Sequence, residues 1–168
     1  MADSGHISVE NHLESIQLGI VRVEGVDAGF RSAEFDQSLD QLIATRATGL
    51  EATEDAVRKA ARDMLRNGRY KPTGRGKPAS EYLLRAAADG SDFPRINWPV
   101  DVCSYISLSS LLPVSIWDLD RTNCERFQFR LGMPDEKYTF NAGGQEISLE
   151  DLVVGCESVD DALGRPIV

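Results

Sequence analysis

Phe127-Gln-Phe-Arg-Leu131, Tyr138-Thr-Phe140, Glu146-Ile-Ser148 and Leu152-Val-Val154 are four short runs rich in β-branched and aromatic residues, and all lie in the last third of the chain. Their lengths suit strands, and Asn141-Ala-Gly-Gly144 supplies turn chemistry between the second and third. Upstream the period changes. Phe35, Leu39, Leu42 and Ile43 recur at helical spacing and predict a helix over 34–45. Thr53 or Glu51 opens a second helix with the apolar stripe Ala56, Val57, Ala60, Ala61, Met64 and Leu65, stopping before Asn67-Gly68. Pro78 or Ser80 begins a third over Glu81–Ala88, with Ser80 placed to accept a bond from a first-turn amide. The apolar segment Pro99–Leu112 reads as a buried helix with Val102, Ile106 and Leu108 in the core. Partial alternation predicts strands over 16–24, ending near Gly25, and at Val114–Trp117. Helices first and strands last make this an α/β (α+β) fold, layered around a mixed sheet, not a regular βαβ array. A mobile segment over 1–15 and a single domain over 16–168 complete the expected organisation.

Composition narrows the classes. No apolar run approaches the roughly 20 residues that a bilayer helix needs, and Met1–Glu10 lacks the basic and apolar regions of a signal peptide. No membrane association is expected. Cys103, Cys124 and Cys156 are odd in number and far apart, which points to a reducing, cytoplasmic compartment and away from a disulfide framework. His6 and His12 both lie near the start, and no cysteine or histidine cluster has zinc spacing, so neither a metal nor a cofactor is expected.

The net charge of −9 is unevenly placed. Residues 1–45 carry 2 basic and 8 acidic side chains, residues 46–95 carry 11 and 7, and residues 96–168 carry 5 and 12. A negative domain is a poor non-specific binder of nucleic acid, and no DNA partner is expected. The one basic tract holds Arg58, Lys59, Arg62, Arg66, Arg69, Lys71, Arg75 and Lys77 against Asp63 alone. It reads either as a phosphate-contact surface, with Tyr70 available to stack, or as a solvated face balanced by acidic regions. Gly74-Arg-Gly-Lys-Pro78 lacks the glycine spacing and following Ser/Thr of a nucleotide-binding loop. Asp118 and Asp120 could serve as an acid–base or metal pair, or one could cap a turn while the other pairs with Arg121. Cys103 sits among apolar neighbours, which suits an inert thiol better than a nucleophile.

The segment from Ser80-Glu-Tyr-Leu-Leu-Arg-Ala through Phe93-Pro-Arg-Ile-Asn-Trp-Pro-Val-Asp-Val-Cys-Ser-Tyr-Ile-Ser-Leu108, with Leu112-Pro-Val and Trp117-Asp-Leu-Asp-Arg121, resembles the B3/B4 domain of the β subunit of phenylalanyl-tRNA synthetase. A looser likeness extends to Leu152-Val-Val-Gly155 and Gly164-Arg-Pro166. The resemblance implies a mixed-sheet α/β fold and an editing site that hydrolyses tyrosine from mischarged phenylalanine tRNA. The family's Asn-x-x-Val-Asp falls on Asn97-Trp-Pro-Val-Asp101, making Asn97 a pocket residue and Asp101 the catalytic or positioning candidate. A following family asparagine falls on Ser104, and the editing histidine falls on Ser115. The family's editing glutamate, and the last part of its domain, find no counterpart in this sequence.

Two functions follow as expectations. One is tRNA binding or deacylation, with Asn97, Asp101, Ser104 and Ser115 at the pocket and Arg58, Arg62, Arg66, Arg69, Lys71, Arg75 and Lys77 on phosphates. The other is a non-catalytic domain that binds a small molecule or a protein. The shortened sheet also predicts self-association through an exposed edge.

Overall fold

In the computed structural model, which describes residues 7–90, 93–122, 124–139, 143–158 and 164–167, the elements run β1 (Ser8–Asn11), α1 (Ala33–Ala47), α2 (Ala52–Met64), α3 (Ala79–Ala88), α4 (Trp98–Ser110), α5 (Leu119–Thr122), β2 (Arg126–Leu131), β3 (Lys137–Thr139), β4 (Glu146–Ser148) and β5 (Val153–Glu157). This is a mixed α/β fold with a small mixed sheet and several helices. It divides into a sheet unit, Met1–Ile20 with Met64–Lys71 and Trp117–Val168, and a helical unit, Val21–Asp63 with Pro72–Ile116. No described helix is long and apolar enough to cross a membrane.

In the sheet unit β2 is central, parallel to β1 and antiparallel to β5, while β3 and β4 form a separate hairpin. The period of two puts Phe127 and Phe129 on one face of β2. Trp117 meets Phe127 edge-on and stacks on Phe129, both at 5.4 Å between ring centroids. Gly155 lies opposite Phe129 in the ladder, and a Cβ there would overlap the Trp117 ring. The glycine is thus explained by space, not by backbone freedom. On the other face Val154 and Cys156 are buried with Leu149, and Leu152 and Tyr138 pack against them. The outer side of β5 is bonded by the last described residues: Glu157 N donates to Arg165 O and Ile167 N to Gly155 O. That edge of the sheet is therefore covered, not open.

In the helical unit α1 packs on α3 and α4, and α3 on α4. Leu39, Ala87, Leu108 and Leu111 are buried there. One charged side chain joins three helix ends. Arg46, in the last turn of α1 and only 7% exposed, donates from Nε to Leu108 O at 3.1 Å and from Nη2 to Ser109 O at 2.8 Å. Its Nη1 meets Glu54 Oε1 at 2.5 Å. The final carbonyls of a helix have no intrahelical partner, and this guanidinium fills that role for α4. Glu54 in turn accepts the Glu51 amide at 3.0 Å through its other oxygen, reaching back over the first turn of α2 as in a capping box.

Several sequence expectations are corrected. Residues 16–24 form no strand: after β1 the chain turns on Asn11, whose side chain accepts Leu13 N and donates to Ile16 O, and the following stretch finds no pairing strand. The first strand is instead Ser8–Asn11, inside the amino-terminal stretch read as mobile, because its backbone pairs with Arg126–Phe129. Val114–Trp117 is a loop, since Trp117 turns its ring onto the sheet instead of joining it. The helix read over Pro99–Leu112 runs from Trp98 to Ser110, beginning one residue earlier because Asn97 caps it. Within it Leu108 is fully buried and Val102 partly so, but Ile106 is 47% exposed. Of the α2 stripe only Ala61 is buried, and Val57 is exposed. Ser80 does not cap α3: the helix already starts at Ala79, and the Ser80 hydroxyl is buried without a hydrogen-bond partner. The strands read at Phe127–Leu131, Tyr138–Phe140, Glu146–Ser148 and Leu152–Val154 correspond to β2–β5, with Phe140 and Asn141-Ala142 outside the described residues.

Arg46→Met keeps the aliphatic stem but leaves two carbonyls and Glu54 without their donor. It should lower unfolding stability by roughly 2–4 kcal/mol in urea titration, and a loss below about 0.5 kcal/mol would show that water replaces the guanidinium freely.

Candidate functional site

The amino-terminal end of α4 carries the residues that sequence marks. Asn97 adopts an extended backbone at the N-cap, and its side chain accepts Val100 N at 3.1 Å. Pro99 tolerates the first turn, where its missing N–H has no role. Asp101 lies one turn in and is 1% exposed. Its Oδ1 accepts Ile96 N at 2.8 Å, and its Oδ2 accepts Arg31 Nη1 at 2.9 Å. The carboxylate thus fixes the chain entering α4 and holds the residue just before Ser32, whose hydroxyl oxygen caps α1 by accepting Phe35 N. Aromatic rings close the same corner. Trp98 meets Phe30 and Phe35 edge-on at 5.0 and 4.7 Å, and Phe35 lies 5.6 Å from Tyr105.

Asn97, Asp101 and Ser104 share one face of α4 by their i, i+4, i+7 spacing. Asn97 and Ser104 are half-buried, whereas Ser115 is exposed in the loop after the helix. Both oxygens of Asp101 are already occupied by an amide and a guanidinium. A group so placed orients chain, and a general base needs a free oxygen within reach of a water or substrate. From the fourth residue of the helix, Asp101 reaches back to the amide before the Asn97 cap.

The basic tract is not one surface of free cations. Arg58 and Arg62, on α2, converge on Glu81 of α3. Arg62 forks onto both carboxylate oxygens, with Nε to Oε1 at 2.5 Å, and Arg58 Nη1 reaches Oε2 at 3.4 Å. Arg58 also pairs with Asp55 at 2.6 Å. Burial alone would raise the Glu81 carboxyl, but the Arg62 fork, Arg58 and nearby Lys77 hold it below its ordinary value of 4.5. Arg66, Arg69 and Lys71 belong to the sheet unit and are exposed, Arg69 also donating its backbone N–H to Asp151 Oδ2 at 2.6 Å. Lys77 is exposed on the helical unit, and the Arg75 side chain lies outside the described residues.

The other candidates take structural parts. Asp118 accepts Asp120 N at 3.2 Å and faces Arg121 at 3.5 Å, so one residue both caps the turn into α5 and pairs with the arginine. No group of three metal-ligating side chains occurs among the described residues. Cys103 donates to Val114 O at 3.7 Å, and burial pushes its thiol up, away from thiolate chemistry at neutral pH. A depression of about 660 Å³ does exist in the helical unit, but its walls include Asp40, Ile43, Ala87 and Phe93, not the family-like positions. Sequence reasoning missed Arg31 and Arg46. A basic residue in a last helical turn is a readable signal for Arg46, but its partners 62 and 63 residues away are not.

No protein-family model matches the chain, and neither a curated protein nor a solved structure does. The likeness to the B3/B4 domain rests on the quoted sequence stretches alone.

Two outcomes follow. Asp101→Asn keeps an acceptor for Ile96 N and should fold with a loss of about 1 kcal/mol, while Asp101→Leu should lose about 2–4 kcal/mol by orphaning that amide and the arginine. Equal losses in urea unfolding would contradict this division of labour. Because the folded-state pKa of Glu81 is depressed, its contribution is complete above 4.5 and disappears as pH falls through the folded value. The stability gap between the parent chain and Glu81→Gln should therefore be largest near neutrality and shrink progressively on acidification toward pH ~3; a gap that grows with acidity would reverse the assignment.

Proposed function

We propose that this chain is a B3/B4-like domain that binds protein and does not deacylate aminoacyl-tRNA. The observation that carries the reading is the use of Asp101. It is buried, and each oxygen is engaged by a partner that organises the fold. Ser104 and Ser115 stand where the family resemblance places asparagine and histidine, so two further pocket groups lack the chemistry that the editing site uses. Oxyanion stabilisation needs donors aimed at the reacting carbonyl, and Asn97 and Asp101 at this end of α4 are instead engaged as acceptors by the protein's own backbone amides and by Arg31.

Electrostatics favour a protein ligand over RNA. Phosphate binding draws its strength from cations that can release counterions. Arg58 and Arg62 instead neutralise Glu81 and Asp55 within the helical unit, and the net charge of −9 opposes a polyanion. Exposed apolar side chains, among them Val21, Val23 and Phe30, offer surface that a protein could cover.

Single-turnover release of tyrosine from mischarged phenylalanine tRNA should equal the no-enzyme rate at every protein concentration, and tRNA should not be retarded even at low salt. Release that rises with protein concentration, or retardation that weakens steeply with salt, would overturn the reading.

A further inference from the structure

Asn67-Gly68 follows α2 within the sheet unit, in a turn that Tyr70 N closes onto Asn67 O at 2.8 Å. Gly68 takes φ +47°, the left-handed backbone that such a turn can demand at its second position. It also has a close neighbour. A Cβ at Gly68 would come within 2.2 Å of the Asp151 carboxylate, whose Oδ2 accepts the Arg69 amide at 2.6 Å. A glycine meets both demands at once. The fold therefore requires a residue without a side chain directly after Asn67, and the Gly68 nitrogen is left unshielded.

Asn67 itself is not held. Its side-chain nitrogen is buried without a hydrogen-bond partner. Among the described residues, neither its side-chain oxygen nor the Gly68 N–H makes a hydrogen bond. The other two described asparagines differ on both counts. Asn11 is tied by Leu13 N and Ile16 O, and the amide after it donates to Phe129 O at 2.9 Å. Asn97 accepts Val100 N, and the amide after it donates to Ala28 O at 3.4 Å.

We propose that Asn67 is a site of spontaneous deamidation in the folded protein. The Gly68 nitrogen attacks Asn67 Cγ, a ring C–N bond forms, and the Cγ–NH2 bond breaks. The Gly68 proton and the NH2 group leave together as ammonia. Water then opens the cyclic imide to a carboxylate, so the net change is amide plus water to carboxylate plus ammonium. The attack is internal, so burial of the Asn67 nitrogen does not prevent it, and Gly68 is exposed for the hydrolysis step. Where the imide opens at its main-chain carbonyl, the product is isoaspartate, and the chain gains a methylene. The carbonyl that Tyr70 N closes onto becomes part of a free carboxylate, and Arg69 N loses its fixed approach to Asp151. The modification thus adds a negative charge and releases the 67–70 turn from the sheet unit's Asp151. It goes beyond the protein-binding reading and does not depend on it.

Peptide mapping by mass spectrometry tests this on the full chain, incubated at neutral and mildly alkaline pH in native buffer and in urea. The native rate at Asn67 should lie within about tenfold of the rate in urea, because no native hydrogen bond has to open before attack. It should rise with pH, since the attacking nitrogen must lose its proton. Asn67→Gln should abolish the mass change in that peptide, because the longer side chain closes its imide far more slowly. In the aged chain the Arg69 amide should exchange hydrogen faster than in fresh protein. A native rate slower than that range would show that packing around the buried nitrogen protects the site, and would overturn the proposal. Conversion with unchanged exchange at Arg69 would overturn the release from Asp151.

Discussion

The guanidinium of Arg46 is the constraint on which the helical unit turns. An arginine is seldom buried unless it is paired, because desolvating its charge costs several kcal/mol. Here every nitrogen is used: two carbonyls at the carboxy-terminal end of α4 and the Glu54 carboxylate at the start of α2. Packing of Leu39 and Leu108 supplies apolar burial, but apolar contact is non-directional and tolerates sliding. A planar donor with three specified acceptors does not. It sets where α1 ends relative to α4, and through Glu54 where α2 begins. Asp101 does the equivalent at the other end of α4, joining it to the approach to α1. One long apolar helix is held at its two termini by two buried charges of opposite sign.

The same economy of charge shapes function. A chain with 27 acidic and 18 basic side chains uses its most basic tract internally in part, where Glu81 gathers Arg58 and Arg62. Such pairs are screened and partly exposed, so their contribution to stability is modest. Their consequence for recognition is larger, because an arginine forked onto a carboxylate must leave it before meeting a phosphate. The acid that family likeness marks for chemistry is likewise engaged. The motif Asn97-Trp-Pro-Val-Asp101 is accounted for as helix-entry architecture: Asn97 caps, Pro99 tolerates the first turn, Trp98 anchors in an aromatic corner, and Asp101 ties back to Ile96 and Arg31.

Legibility followed the range of the interactions. The four late strands were readable because period-two alternation and turn residues are local. The four longer helices were readable because their apolar recurrence lies within the segment. Residues 16–24 look like a strand by composition, yet a strand exists only where another offers its backbone, and among the described residues none does. Ser80 looks like a cap, yet the helix begins one residue earlier and its hydroxyl is enclosed. Ile106 is as apolar as Leu108, but two residues along a helix turn it about 200° away, and it emerges at the surface.

By itself, the sequence determined the mixed α/β class and the approximate spans of the four longer helices and the late strands, because those depend on neighbours within a few residues. Only the tertiary structure decided that Ser8–Asn11 pairs in parallel with a strand more than a hundred residues away. It alone placed Arg46 on the carbonyls of α4 and closed both oxygens of Asp101. These are contacts between distant positions, and their worth lies in geometry and burial, neither of which is written in the identity of any one residue.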